Sequence, residues 1–118
     1  MLNVLKTFRS IIRTYAIELF ERETNRKRIK ATLTFIDGSK LFIKDYYFGS
    51  ERKYSYHWVD INGNLIIRWD NAPHWRQVPT FPYHKHTGSP EKVESSLEMD
   101  LNEILSVIKA KISSKTPG

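Results

Sequence analysis

Apolar residues recur along this chain in two periods, and the points where the period changes mark out its elements. Leu2, Leu5, Phe8, Ile12 and Tyr15 return at helical spacing, with Lys6, Arg9, Ser10 and Arg13 opposite, which predicts an amphipathic helix over about residues 2 to 13. Tyr15 to Arg22 sets Tyr15, Ile17 and Leu19 against Ala16, Glu18 and Phe20, a mixed pattern closer to strand than helix. From Ile29 the alternation is clean: Ile29, Ala31, Leu33 and Phe35 on one side, Lys30, Thr32 and Thr34 on the other. Asp37-Gly38 then marks a turn. A three-residue loop Ile36-Asp37-Gly38, closed by a left-handed glycine, pairs Leu33 with Leu41 and Ala31 with Ile43, so the apolar faces coincide.

Asn62-Gly63 signals a second hairpin. With a two-residue turn, His57 faces Arg68 and Ser55 faces Asp70. Tyr54, Tyr56, Trp58, Leu65, Ile67 and Trp69 then gather on a core face, leaving Ser55, His57, Arg68 and Asp70 on the opposite one. Pro73, Pro79 and Pro82 exclude a helix or central strand, so residues 71 to 83 are expected to be an ordered loop. His84-Lys85-His86 opens a strand or stays in the loop, and Glu91 to Glu94 is a brief strand. Ser95-Ser96-Leu97-Glu98 reads as a capping box for a helix carrying Leu97, Leu101, Ile104, Leu105, Ile108 and Ile112 to about Ser113, with Ser114 to Gly118 fraying. The expected fold is α+β: five to seven mainly antiparallel strands with an N-terminal and a C-terminal helix packed on one face.

At 118 residues the chain is expected to be one domain, 1–118. It holds 19 Lys and Arg against 13 Asp and Glu, a net charge of +6, with Arg22, Arg26, Lys27, Arg28 and Lys30 bunched. Such a surface suits a polyanion, nucleic acid above all, although a basic run on a strand end is also simply a solvated surface. Without cysteine there is no disulfide, thiolate nucleophile or Cys-type zinc site. No run approaches the length of a membrane span, and a cytoplasmic protein that engages no membrane is expected.

All four histidines, His57, His74, His84 and His86, and all three tryptophans fall between Tyr54 and His86. Cleavage of RNA by its own 2′-hydroxyl needs a base, an acid and fixed positive charge for the phosphate. The histidines titrate in the right range, and Arg68 and Lys85 supply charge. His74 with His84 or His86 are expected to share the acid and base roles, with Asp70 orienting a histidine or Arg68. His57 completes the catalytic candidates. Trp75, Phe81 and Tyr83 are expected to stack on bases, joined by Asn71 and Arg76 in holding substrate. The plainer alternative makes His57, Arg68 and Asp70 a cross-strand surface group. A metal reading is also open, because His84 and His86 share a face if extended and Asp70 or His74 can complete the ligands; no metal and no cofactor is the preferred expectation.

The string Arg68-Trp69-Asp70-Asn71-Ala72-Pro73-His74, with Phe81-Pro82, His84-Lys85-His86, Tyr54-Ser55-Tyr56-His57 and Asp37-Gly38-Ser39, resembles a family of small prokaryotic proteins, the TumE-type toxins of type II toxin-antitoxin modules. The likeness covers about residues 30 to 108. The family pattern has a histidine where Trp75 and Tyr83 stand, which leaves His74, His84 and His86 as carriers. The resemblance implies a growth-inhibiting toxin neutralised by a partner antitoxin, with RNA as its target; a helix-turn-helix antitoxin and a homodimer of this chain are the partners considered. A metal-independent endoribonuclease is the leading reading. A non-catalytic RNA- or protein-binding module and a metal-dependent nuclease are its rivals.

Overall fold

A computed structural model describes residues 1–115. The elements are α1 (Leu2–Thr7), β1 (Ile12–Glu23), β2 (Arg26–Phe35), β3 (Lys40–Phe48), β4 (Glu51–Val59), β5 (Leu65–Asp70), β6 (His84–Thr87), β7 (Val93–Ser95) and α2 (Leu101–Lys115). The seven strands form one sheet in sequence order, each antiparallel to the next. The expected α+β fold is the one observed. No helix among the described residues is long and apolar enough to cross a membrane.

Strand pairing carries side chains of one kind across the sheet. Ala31, Ile43, Tyr56 and Trp69 form one row, and Leu33, Leu41, Trp58 and Ile67 the next. Leu5, Phe8 and Ile11 near α1 and Ile104, Leu105, Ile108 and Ile112 of α2 pack on these rows in one buried cluster, so both helices lie on the same sheet face. Burying a side chain of this size stabilises the fold by roughly 1.5–3 kcal/mol. Lys30, Lys44, Ser55, Asp70 and His84 form a row on the opposite face, beside Thr32, Phe42, His57, Arg68 and His86.

The first hairpin has the expected register, Leu33 against Leu41 and Ala31 against Ile43. Phe35 N–H donates to Ser39 O (2.9 Å) around the loop. Asp37 Oδ1 accepts from the Ser39 N–H, and Ser39 Oγ accepts from the Trp58 indole N–H (3.0 Å), so the turn also satisfies a buried donor of the core. The second hairpin pairs His57 with Arg68 and Ser55 with Asp70 as expected, but its turn is not two residues long. Asp60 N–H donates to Asn64 O, closing a three-residue loop, and a bulge at Ile66 absorbs the extra residue before Trp58 meets Ile67.

Both loops place glycine third, with Gly38 at φ +85° and Gly63 at φ +84°. A Cβ on Gly38 would meet Ile61 Cδ1 at 2.6 Å, whereas Gly63 faces open space. Because Ile61 is exposed, its tip can swing away and the backbone term dominates. Gly38→Ala and Gly63→Ala are each expected to cost about 1–2 kcal/mol in denaturant unfolding and to agree within about 0.5 kcal/mol. A much larger loss at Gly38 would mean the two turns are locked together.

Both helix boundaries differ from the sequence expectation. Helix α1 stops at Thr7, and by Ile12 the chain has entered β1, with Ile12 opposite Phe35 and Ile36 N–H bonded to Ile11 O. Pairing with β2 outweighs a helical period that is too short to hold alone. Helix α2 begins at Leu101, not near Leu97, which is 77% exposed. Asp100 Oδ1 accepts the Glu103 N–H (2.8 Å) and Glu103 Oε1 the Met99 N–H, so Asp100 caps the helix in place of Ser95 or Ser96. The helix runs on to Lys115; of the segment expected to fray, residues 116–118 lie outside the described residues.

Candidate functional site

Strands β4, β5 and β6 place His57, Arg68, Asp70, His84 and His86 on the helix-free face. The period of two that makes a core row on one side of β5 aligns Arg68 and Asp70 on the other. After Asp70 the chain forms the expected irregular loop, and its Trp75 ring lies over the histidine pair, 6.4 Å from His84 and 5.9 Å from His86. The two imidazoles meet edge to face at 5.0 Å. His84, His86 and Asp70 are all buried. Asp70 is the hub: Oδ1 accepts the Ala72 N–H (3.0 Å), Oδ2 accepts Arg68 Nε–H (3.2 Å), and His84 Nε2 lies 2.9 Å from Oδ1. One ligand atom from each of Asp70, His84 and His86 falls within 4.8 Å of the others, a grouping that could hold a metal ion.

The half-buried edge of this group opens onto two adjoining hollows of about 290 Å³ each, which share Lys44, Ser55 and Arg68. One extends to Lys53, Asp70 and Asn71; the other to Lys30, His57 and Glu18. Arg68 Nη1 lies 3.4 Å from His57 Nδ1. A guanidinium can only donate, so Nδ1 is the lone-pair nitrogen of that ring. Burial, and then the charge of Arg68, hold the His57 pKa below its ordinary value.

The remaining residues expected at the site are spread more widely. His74, Arg76 and Phe81 are exposed on the loop. Lys85 points to the helix side, where Nζ lies 3.3 Å from Glu98 Oε1, so the structure does not bring it beside Arg68. Asn71 spends its amide on β4, accepting from Tyr54 N–H and donating to Arg52 O. Tyr83 stacks on Tyr54 at 6.4 Å, at the edge of the core. Of the basic run, Arg26 and Arg28 are paired with Glu21, while Lys30 lines the hollow that holds His57. Lys44 and Lys53, which line the hollows, were not among the residues expected there. The register that sets Lys44 opposite Ser55 was the available signal.

A family model described as Toxin TumE matches residues 1–112. The chain belongs to the TumE toxin family. Among the residues of this TumE-family chain that carried the likeness, Arg68, Asp70, His84 and His86 meet in space, and Asn71 and Ala72 fix how the loop leaves β5. No curated protein and no solved structure matches the chain.

Proposed function

We propose that the protein is the toxin of a toxin-antitoxin pair and acts as an endoribonuclease, with RNA lying across the two basic hollows. The observation that carries this reading is their junction, where the lone-pair nitrogen of His57 and the guanidinium of Arg68 are adjacent and Lys30, Lys44 and Lys53 flank them. Transesterification requires a base beside a phosphate-binding cation, since the attacking 2′-oxygen is the neighbour of the phosphorus. In this reading a phosphate draws Arg68 onto its non-bridging oxygens and bares His57 Nδ1, which takes the 2′-hydroxyl proton. The bond from 2′-oxygen to phosphorus forms as the bond from phosphorus to the 5′-oxygen breaks. The departing oxygen takes a proton from solvent, to which His57 returns the one it removed, and the step has no net consumption of water and needs no metal.

His84 and His86 are too enclosed to exchange protons directly with a polymer in the hollows. They line the buried side of Asp70, whose Oδ2 accepts the Arg68 Nε–H. Family membership implies a cognate antitoxin; its helix-turn-helix character and a homodimer of this chain belong to the same proposal. Incubating purified protein with RNA is expected to yield fragments ending in a 2′,3′-cyclic phosphate, at a rate that falls as salt is raised. RNA that binds in a salt-sensitive way yet stays intact would favour a non-catalytic binding module instead.

A further inference from the structure

We infer that Asp70, His84 and His86 form a binding site for one first-row divalent metal ion of the zinc, cobalt or iron kind. The assignment stands apart from the ribonuclease reading and is tested without RNA.

Hydrogen bonding fixes the orientation of the two rings. His84 Nδ1 lies 2.9 Å from Pro82 O and His86 Nδ1 lies 2.7 Å from Pro90 O. A carbonyl only accepts, so each Nδ1 carries its hydrogen and each Nε2 is the inward-facing nitrogen. Histidines that ligate metals are held in this way, one nitrogen anchored by backbone and the other free for the ion. The carboxylate is anchored too, by Ala72 N–H on one oxygen and Arg68 Nε–H on the other.

An ordinary aspartate-histidine ion pair accounts for this geometry less well. His84 is 1% exposed, yet its Nε2 has no hydrogen-bond partner among the described residues. Asp70 Oδ1 is near enough, at 2.9 Å, but lies off the axis along which an N–H would donate. His86 Nε2 stands 3.7 Å from Oδ2, beyond hydrogen-bonding reach. A buried polar atom left without a partner is rare, and here it stands 2.9 Å from an anionic oxygen, in one group with a second imidazole. Bonds of about 2.05 Å to a tetrahedral ion put neighbouring ligand atoms roughly 3.3 Å apart; one ligand atom each from Asp70, His84 and His86 lies within 4.8 Å of the others, with His84 Nε2 2.9 Å from Asp70 Oδ1.

The donor set selects the ion. Two imidazoles and one carboxylate suit zinc, cobalt, iron or nickel, whereas magnesium and calcium seek oxygen. The His-x-His spacing on β6 puts both rings on one face, and the register that sets His84 opposite Asp70 supplies the third ligand from β5. Trp75 covers the group on the loop side. A bound ion would tie β5, β6 and the loop leaving β5 together, one hydrogen bond from Arg68.

The test uses the full chain, stripped by chelator and titrated with Zn²⁺ and, separately, Co²⁺. One equivalent of Zn²⁺ should be retained through gel filtration, the unfolding midpoint should rise by several degrees, and bound Co²⁺ should show visible d–d absorption. Millimolar Mg²⁺ should not displace either ion. His84→Gln and Asp70→Asn should each weaken binding at least tenfold, and His74→Ala should leave it unchanged. Zinc X-ray absorption on the unmutated protein should read two imidazoles and a carboxylate, so the assignment is testable even if a variant fails to fold. Failure to retain either ion, or retention undiminished by His84→Gln, would overturn it. RNA cleavage without metal binding would sink this site and leave the ribonuclease reading standing; the reverse result would do the opposite.

Discussion

The His57→Ala protein is expected to cleave RNA about a hundred- to a thousandfold more slowly than the parent, with its fold intact. A positioned general base contributes on the order of 10²–10⁴ in rate, and His57 is only half-buried, on the face away from the core. Arg68→Ala should lose a comparable factor by withdrawing the charge that meets the phosphate, and Arg68→Lys should recover it only in part, because an ammonium lacks the planar fork. The pH profile separates chemistry from mere positioning. The base works unprotonated, and its pKa is depressed by burial first and by Arg68 second. The acid limb of kcat/KM should therefore lie below the roughly 6.5 of a free imidazole. Lys30 from β2, Lys44 from β3 and Glu18 from β1 also line this hollow. In Arg68→Gln the limb should move up toward 6.5, since one depressing cause is gone. A limb at or above 6.5 in the parent, or one indifferent to Arg68, would remove His57 from the base role.

The second large effect concerns stability and falls on the opposite face. Arg52 binds Asp45 through two nitrogens, Nε to Oδ1 at 2.9 Å and Nη2 to Oδ2 at 2.8 Å. It also donates to Met99 O at 2.6 Å and lies over the Tyr54 ring at 4.2 Å. The Tyr56 hydroxyl donates to the same Asp45. Burial works against the Arg52 charge, but the bonds and charge of Asp45 outweigh it and hold the guanidinium pKa above its ordinary range. Removing one partner strands the other in a mostly buried place. Asp45→Ala is expected to cost about 3–5 kcal/mol, which lowers the unfolding midpoint of a chain this size by roughly 10–20 °C. The double variant Asp45→Ala with Arg52→Met should regain part of that loss, because no stranded charge remains. Thermal unfolding measures both, and a loss under about 1 kcal/mol in the single variant would show that solvent already screens the pair.

The parts of the fold legible in the sequence were those where two local signals agreed. Alternation through Ala31 and Leu33 and the Asp37-Gly38 turn demanded one register, and it is the register found. The second hairpin shows how a register can be read correctly from an incorrect turn. Sorting Tyr56 and Trp58 away from His57 required His57 to face Arg68, and the bulge at Ile66 meets that demand with a longer loop. Single signals misled. The apolar spacing from Leu2 to Tyr15 is helical on paper, yet Tyr15 is 52% exposed in β1 because strand pairing, which is not local, outweighed it. The Ser95-Ser96 signal misled as well: Ser96 N–H is bonded to Thr80 Oγ1, a contact across the fold, and the helix starts after Asp100.

The site was legible as composition more than as geometry. Clustering of histidines drew attention to residues 84–86 without deciding between strand and loop, and Arg68 and Asp70 stand, as expected, on the face of β5 opposite the core. The enclosure of His84 beneath Trp75 depends on the path of a proline-rich loop that has no period to read. Lys85 shows the cost of treating three neighbours as a unit, since alternate residues of a strand face opposite sides. Lys44 went unnoticed because its significance comes only from pairing with Ser55 across β3 and β4.

The central claim is that RNA is cut by its own 2′-hydroxyl at the junction of the two hollows. A single measurement bears on it most directly: cleavage of an RNA oligomer carrying one 2′-deoxy nucleotide immediately 5′ of the bond the protein prefers. The account predicts that this bond survives while cuts at other positions continue. Cleavage there at an undiminished rate would show that water, not the sugar, is the nucleophile, and would contradict it.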